Sequence, residues 1–230
     1  MESVPNQEPR TVSRRAMVTT GAAVGVGAWV APSILSYDRA AAAIGSCGTK
    51  PRQVDFTDWA GNLLPSSFTA DDGVTITMSI DDSDGVQDSF WAMRVFNGTI
   101  NGRDNPVITG MSNANNNEGV WITFTFSTPV QPSFFLVDVD RGTSNWEDTV
   151  EVRGYLNSGP RIDPDSFTLG GAAVTQVNPR RVRGVSPSSS SNSEVEVDFQ
   201  EPINELRIRH YDRQSWTGFQ WIGIHDLHWC

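Results

Sequence analysis

Val120-Trp121-Ile122-Thr123-Phe124-Thr125-Phe126-Ser127 is the stretch whose reading decides the fold. Val120, Ile122, Phe124 and Phe126 alternate with Trp121, Thr123, Thr125 and Ser127, so one face is apolar and the other mostly carries hydroxyls. A period of two is the pleat of a half-buried β-strand, and the aromatic and β-branched content suits it. The pattern recurs on either side. Upstream, Val74, Ile76, Met78 and Ile80 alternate with Thr75, Thr77 and Ser79; downstream, Leu206 and Ile208 alternate with Arg207 and Arg209. Val195, Val197 and Phe199 alternate with acidic residues, which reads as an edge-like or half-exposed strand. Phe134 to Val139 and Trp221 to Leu227 are apolar on both faces and read as central strands.

Turn chemistry punctuates these runs at Asp72-Gly73, Asn97-Gly98, Asn101-Gly102, Asn105-Pro106, Thr128-Pro129 and Gly170-Gly171. Asn113 to Asn117 is a polar loop, and Arg180 to Ser193, with four consecutive serines, reads as a long hairpin loop. No segment after the first forty residues has a capped helical period. Eight to ten short strands at this spacing predict an all-β domain, an antiparallel β-sandwich or jelly roll.

The beginning of the chain has a different grammar. Ser13-Arg14-Arg15-Ala16-Met17-Val18-Thr19 opens a mildly apolar run to Leu35, and Ala40 to Ala43 supply small residues for a signal peptidase. This order resembles a twin-arginine export signal. The resemblance implies passage through the twin-arginine translocase guided by Arg14 and Arg15, with cleavage after Ala43. It divides the chain into a signal peptide, 1–43, and a β-sandwich domain, 44–230, and implies a secreted or cell-surface bacterial protein. Thr19, Thr20, Gly21, Gly25, Gly27, Pro32 and Ser33 lower the hydrophobicity of the run, so no membrane span is expected after cleavage. Ile44-Gly45-Ser46-Cys47 also resembles a lipoprotein box, in which Cys47 would be lipidated instead.

A net charge of −10 over 230 residues repels phosphate polymers, so nucleic acid is not an expected partner. The two cysteines, Cys47 and Cys230, flank the domain, and an even count in an exported protein predicts a disulfide between them.

Candidate chemistry is sparse. Asp138 and Asp140 leave one face at a strand's end and Asp148 follows a short loop, a source of oxygen ligands for calcium; the competing reading is that such aspartates cap turns. Asp81, Asp82, Asp84 and Asp88 around Gly85 invite the same two readings. His225 and His228, three apart on a strand, fall on opposite faces unless a bulge intervenes. No nucleophile elbow, zinc-protease pair or phosphate loop is present in the sequence. Trp121, Trp146 and Trp216 are candidates for stacking on a sugar ring.

The run from Trp121 to Val130, the strand ending Asp138-Val139-Asp140, and the closing Ile222-Gly223-Ile224-His225-Asp226 are together similar to secreted bacterial β-sandwich modules of jelly-roll-like architecture. That resemblance implies the fold and a calcium site, and no activity. The expectation is a non-catalytic binding or adhesive module for an extracellular glycan or protein surface, carbohydrate-binding and calcium-stabilised. A structural protein of the cell surface is the rival, and a secreted hydrolase the more distant alternative.

Overall fold

The computed structural model describes residues 51–142, 146–187, 191–214 and 218–230. The segment 1–43 that resembles an export signal, Cys47 and Trp216 lie outside the described residues.

Within them the chain forms strands and short turns, because apolar side chains recur at every second residue and Gly, Asn and Asp interrupt each run. In chain order the strands are β1 (Arg52–Val54), β2 (Ser67–Thr69), β3 (Thr75–Asp81), β4 (Gln87–Val95), β5 (Thr99–Ile100), β6 (Arg103–Asp104) and β7 (Val107–Ser112). They continue as β8 (Gly119–Val130), β9 (Ser133–Val137), β10 (Asp148–Tyr155), β11 (Arg161–Ile162), β12 (Ser166–Leu169) and β13 (Val174–Asn178). The last are β14 (Arg181–Gly184), β15 (Val195–Asp198), β16 (Ile203–Asp212) and β17 (Phe219–His228). Two single-turn 3-10 helices, Phe56–Trp59 and Ser191–Ser193, are the helical elements among the described residues.

Two antiparallel sheets face each other. The first has the order β12-β15-β9-β17-β7-β4, with β1 also paired to β17. The second runs β13-β14-β10-β16-β8-β3-β2, with β11 also paired to β10. Phe134, Leu136, Ile222 and Ile224 from the first sheet meet Ile122, Phe124, Val150, Val152, Leu206 and Ile208 from the second in one buried cluster. This is the β-sandwich arrangement, with alternate residues of each strand directed into the shared core.

Several expectations change in detail. Seventeen strand segments replace eight to ten, because bulges and turns divide the longer runs. β15 is the half-exposed strand of that reading and not an edge: buried and part-exposed residues alternate along it, and β12 pairs with its outer side. The Arg180–Ser193 stretch is not wholly loop, since Arg181–Gly184 forms β14 between β13 and β10. β9 and β17 are central, as their two-sided apolar pattern predicts.

Candidate functional site

Strand β17 breaks its own alternation. Ile222 and Ile224 point into the core, yet so do Leu227 and Trp229, which have the opposite parity. The register with β9 accounts for this, pairing His225 with Phe135 and Leu227 with Phe134 and leaving Asp226 as an extra residue. Asp226 takes a positive φ of 35° to absorb the bulge. His225 and His228 therefore both lie on the outer face of the first sheet, which corrects the opposite-face reading.

A second element overhangs the same face. β5 and β6 form a hairpin closed by Asn101-Gly102, both at positive φ, the pair that a type I′ turn requires. Arg103 of this hairpin stacks over the Phe135 ring at 3.5 Å and donates two hydrogen bonds to Glu194, at 3.0 and 2.7 Å. The Glu194 hydrogen bond, aided by the charges of Glu196 and Asp226, outweighs burial and holds the Arg103 pKa above its ordinary value. Asn101 donates to Ser193 Oγ at 2.8 Å, which ties the hairpin tip to the 3-10 turn that precedes β15.

Between hairpin, bulge and the first 3-10 turn lies an open polar recess of about 410 Å³. Its lining is Asp55, Thr57, Gly102, Arg103, Asp104, His225 and Asp226. Asp55 caps the 3-10 turn by accepting from the Thr57 N–H at 2.9 Å, and Asn105 donates to Thr57 Oγ1 at 3.2 Å, so the wall is fixed. His225 and Asp226 are buried at the floor, with Nδ1 and Oδ2 3.5 Å apart. The recess offers carboxylate acceptors, a guanidinium and an imidazole to something small and polar. The signal for it in the sequence is the phase slip between Ile224 and Leu227, inside the Ile-Gly-Ile-His-Asp ending.

The three aspartates considered for calcium come together at one end of the sandwich. Asp148 N–H donates to the Asp140 carbonyl at 3.0 Å, and Asp140 N–H donates to Asp148 Oδ2 at 3.3 Å. Gly184 permits this packing, since a Cβ there would sit 1.9 Å from the Asp140 oxygen. Burial, then the charges of Asp140 and Asp148, push the Asp138 pKa up to about 8. Asp148 is wholly buried and is raised well above its ordinary value, first by desolvation. His210 Nε2 lies 2.9 Å from Asp148 Oδ1, and burial lowers the histidine to about 3, so the pair is favoured uncharged. Asp212 is tied down by the Glu147 and Gln214 amides and by Gln220 Nε2, at 3.1, 2.9 and 2.8 Å. Among the described residues no group of three His, Cys, Asp or Glu side chains has a geometry suited to a metal ion. In the other acidic loop, Asp82 accepts from Val86 and Gln87 N–H, and Asp88 from Phe90 and Trp91 N–H, so these two cap turns.

The tryptophans separate. Trp121 lies on the outer face of the second sheet with the guanidiniums of Arg153 and Arg209 over its ring, at 4.6 and 5.7 Å. Trp146 packs on Gly142, in the loop before β10. A larger aromatic grouping is elsewhere, where the Trp91 ring meets those of Phe90, Phe96 and Phe219 on the outer face of the first sheet. Trp91, Phe96, Ile108 and Trp221 enclose an apolar cavity of about 100 Å³ there.

Comparison with protein-family models, curated protein sequences and solved structures finds no match to this chain.

Proposed function

We propose that the protein is an exported, non-catalytic binding module whose β17 recess takes a sugar unit of an extracellular glycan. The observation that carries this reading is the recess itself, floored by a carboxylate on a left-handed bulge. A positive φ at a non-glycine residue costs of order 1–3 kcal/mol, and such strain collects at functional sites. About 410 Å³ accommodates one or two sugar rings. Carboxylates at Asp55, Asp104 and Asp226 suit vicinal hydroxyl donors, and Arg103 supplies the complementary donor. Calcium belongs to this proposal as a stabiliser at Asp138, Asp140 and Asp148, where crowded carboxylates need either a proton or a cation.

A glycan array on the exported domain, repeated with chelator, tests the reading. Selective glycan binding that Asp104→Asn and His225→Gln each reduce at least tenfold supports it. An array with no selective signal removes the sugar and leaves the structural, cell-surface reading.

A further inference from the structure

We propose that Trp91, Phe96, Ile108 and Trp221 form a separate site for a small aromatic carboxylic acid, its ring in the slot between them and its carboxylate on Arg94. This site shares the outer face of the first sheet with the recess but none of its lining residues, and does not depend on it.

The backbone of β4 sets the argument. Strict alternation would put Trp91 on the core side with Met93 and Val95, both of which are buried there. Instead β4 pairs Ala92 with Thr109 and Arg94 with Ile108, leaving Met93 as an extra residue at a φ of 56°. Positive φ is strained for a bulky side chain, and bulges and strain of this kind collect at functional sites. The bulge turns Trp91 outward, where it packs with Phe96 and Trp221 on Ile100, Ile108 and Val137.

The rings leave a hole instead of closing over it. Its volume is about 100 Å³, and an apolar cavity of about 150 Å³ stays dry and holds benzene. One phenyl ring is therefore the size of group that the slot takes, with the rest of the ligand outside. A sugar hydroxyl in it would give up water for little return, because the walls are apolar and aromatic. Beside the slot Phe90 is 57% exposed and Phe219 39%, both in ring contact with Trp91, so apolar surface continues outward from it. A peptide strand is not the occupant, since side chains already cap the β4 backbone here. Asp88 accepts from the Phe90 and Trp91 N–H groups, and Arg94 Nε donates to the Phe90 carbonyl.

Arg94 supplies the charge. Its guanidinium lies 4.4 Å from the centre of the Phe90 ring, which is in turn 4.9 Å from that of Trp91. It donates to the Phe90 and Gly61 carbonyls at 3.0 and 2.7 Å, and among the described residues no carboxylate pairs with it. Arg103 is occupied by Glu194, whereas Arg94 keeps N–H groups of its fork for an incoming carboxylate. Two carbonyls and a ring hold that fork before a ligand arrives, which reduces the entropy lost on binding. The net charge of −10 does not forbid an anion at contact distance, since fields are screened beyond about 8 Å at physiological ionic strength.

3-Phenylpropionate is the probe, titrated calorimetrically into the protein beside 3-phenylpropan-1-ol, its uncharged counterpart. Saturable binding of both is expected, the acid about two- to fivefold tighter, as a partly exposed ion pair gives. Arg94→Gln should erase that preference while the alcohol binds as before. Ile108→Phe, which fills the slot from its base, should abolish binding of both at a melting temperature no lower than the parent's. Asp104→Asn in the recess should change neither. Absence of saturable binding, or binding that survives Ile108→Phe, overturns the proposal. Should Ile108→Phe fail to fold, Trp221→Leu removes one wall instead, and binding that it leaves unchanged overturns the site equally. Acid and alcohol binding alike to the parent would overturn the commitment to a carboxylate.

Discussion

Asp226 is a buried carboxylate at φ 35° inside a strand, a conformation that glycine adopts freely and other residues resist. Replacing it by Gly or by Ala removes the same carboxylate, so the difference between the two variants reads the backbone alone. Asp226→Gly is expected to be about 1 kcal/mol more stable than Asp226→Ala in denaturant unfolding, while both lose ligand. Equal stabilities would mean that the bulge relaxes and stores nothing. Asp138 sets a different test. Burial, with Asp140 and Asp148 nearby, raises it to about 8, so the folded protein retains a proton that the unfolded chain releases near pH 4. That stabilising contribution is complete below the unfolded pKa and is lost as pH rises through 8. His210 acts in the opposite sense, because burial lowers it to about 3 and its contribution is lost as pH falls below about 6.5. The window from 6.5 to 8 therefore isolates the carboxylates, and stability should fall across it by up to about 2 kcal/mol. Asp138→Asn should flatten that slope in pH-dependent melting. Millimolar calcium should raise the melting temperature more at pH 8 than at pH 6.5, since a cation replaces the departing proton. Identical curves in calcium and chelator would remove calcium from the account.

At the scale of the element, β10 carries a buried acid on a face that ought to be wet. Burial alone would raise Glu151, but hydrogen bonds from Arg181, Arg153 and Arg180 prevail and lower it to about 2. Glu151→Gln leaves three half-buried guanidiniums without their common partner, and a loss of about 2–3 kcal/mol is expected in chemical denaturation. A change under 0.5 kcal/mol would show that solvent screens the cluster. Strands of this kind are legible in sequence when their side chains alternate without interruption. Val120 to Ser127 and Leu206 to Arg209 declare both strand and inward face, because burial selects apolar residues at period two. Central position is legible too in Phe134 to Val137, where both faces are covered. The recess was not, because it depends on a bulge, a hairpin overhang and a turn brought together from positions 55, 101–104 and 225–226. Its one local trace, the slip of phase between Ile224 and Leu227, is a single inserted residue in a strand whose two faces are both apolar. Asp138, Asp140 and Asp148 were found by proximity in sequence, whereas His210 joins them through a cross-strand contact 62 residues away from Asp148.

At the scale of the whole molecule, β1 and β17 bring the two ends of the domain side by side. Arg52 pairs with His228 and Val54 with Leu227, and the Trp229 N–H donates to the Pro51 carbonyl at 3.3 Å. Trp229 is fully buried, edge-on to Phe126 at 5.6 Å, and its indole N–H donates to Asp72 at 2.7 Å. That anchor fixes the position from which Cys230 leaves the sheet. Cys47 precedes Pro51 by four residues, a tether of at most about 14 Å when extended, which can fold back to the roughly 5.5 Å that separates the Cα atoms of a disulfide. A Cys47–Cys230 bond is therefore expected under oxidising conditions. Closing a loop around nearly the whole domain restricts the unfolded chain by roughly 5 kcal/mol in the entropy model, and strain usually leaves less. At about 2–4 °C per kcal/mol for a domain of this size, reduction should lower the melting temperature by roughly 10 °C. Cys230→Ser should match the reduced parent, because both abolish the same cross-link. Intact mass adds an independent check: loss of residues through about Ala43, and two hydrogens fewer than the dithiol. A diacylglyceryl mass on Cys47 would assign that residue to lipid. Oxidised and reduced proteins that melt together would show that the β1–β17 pairing holds the ends unaided.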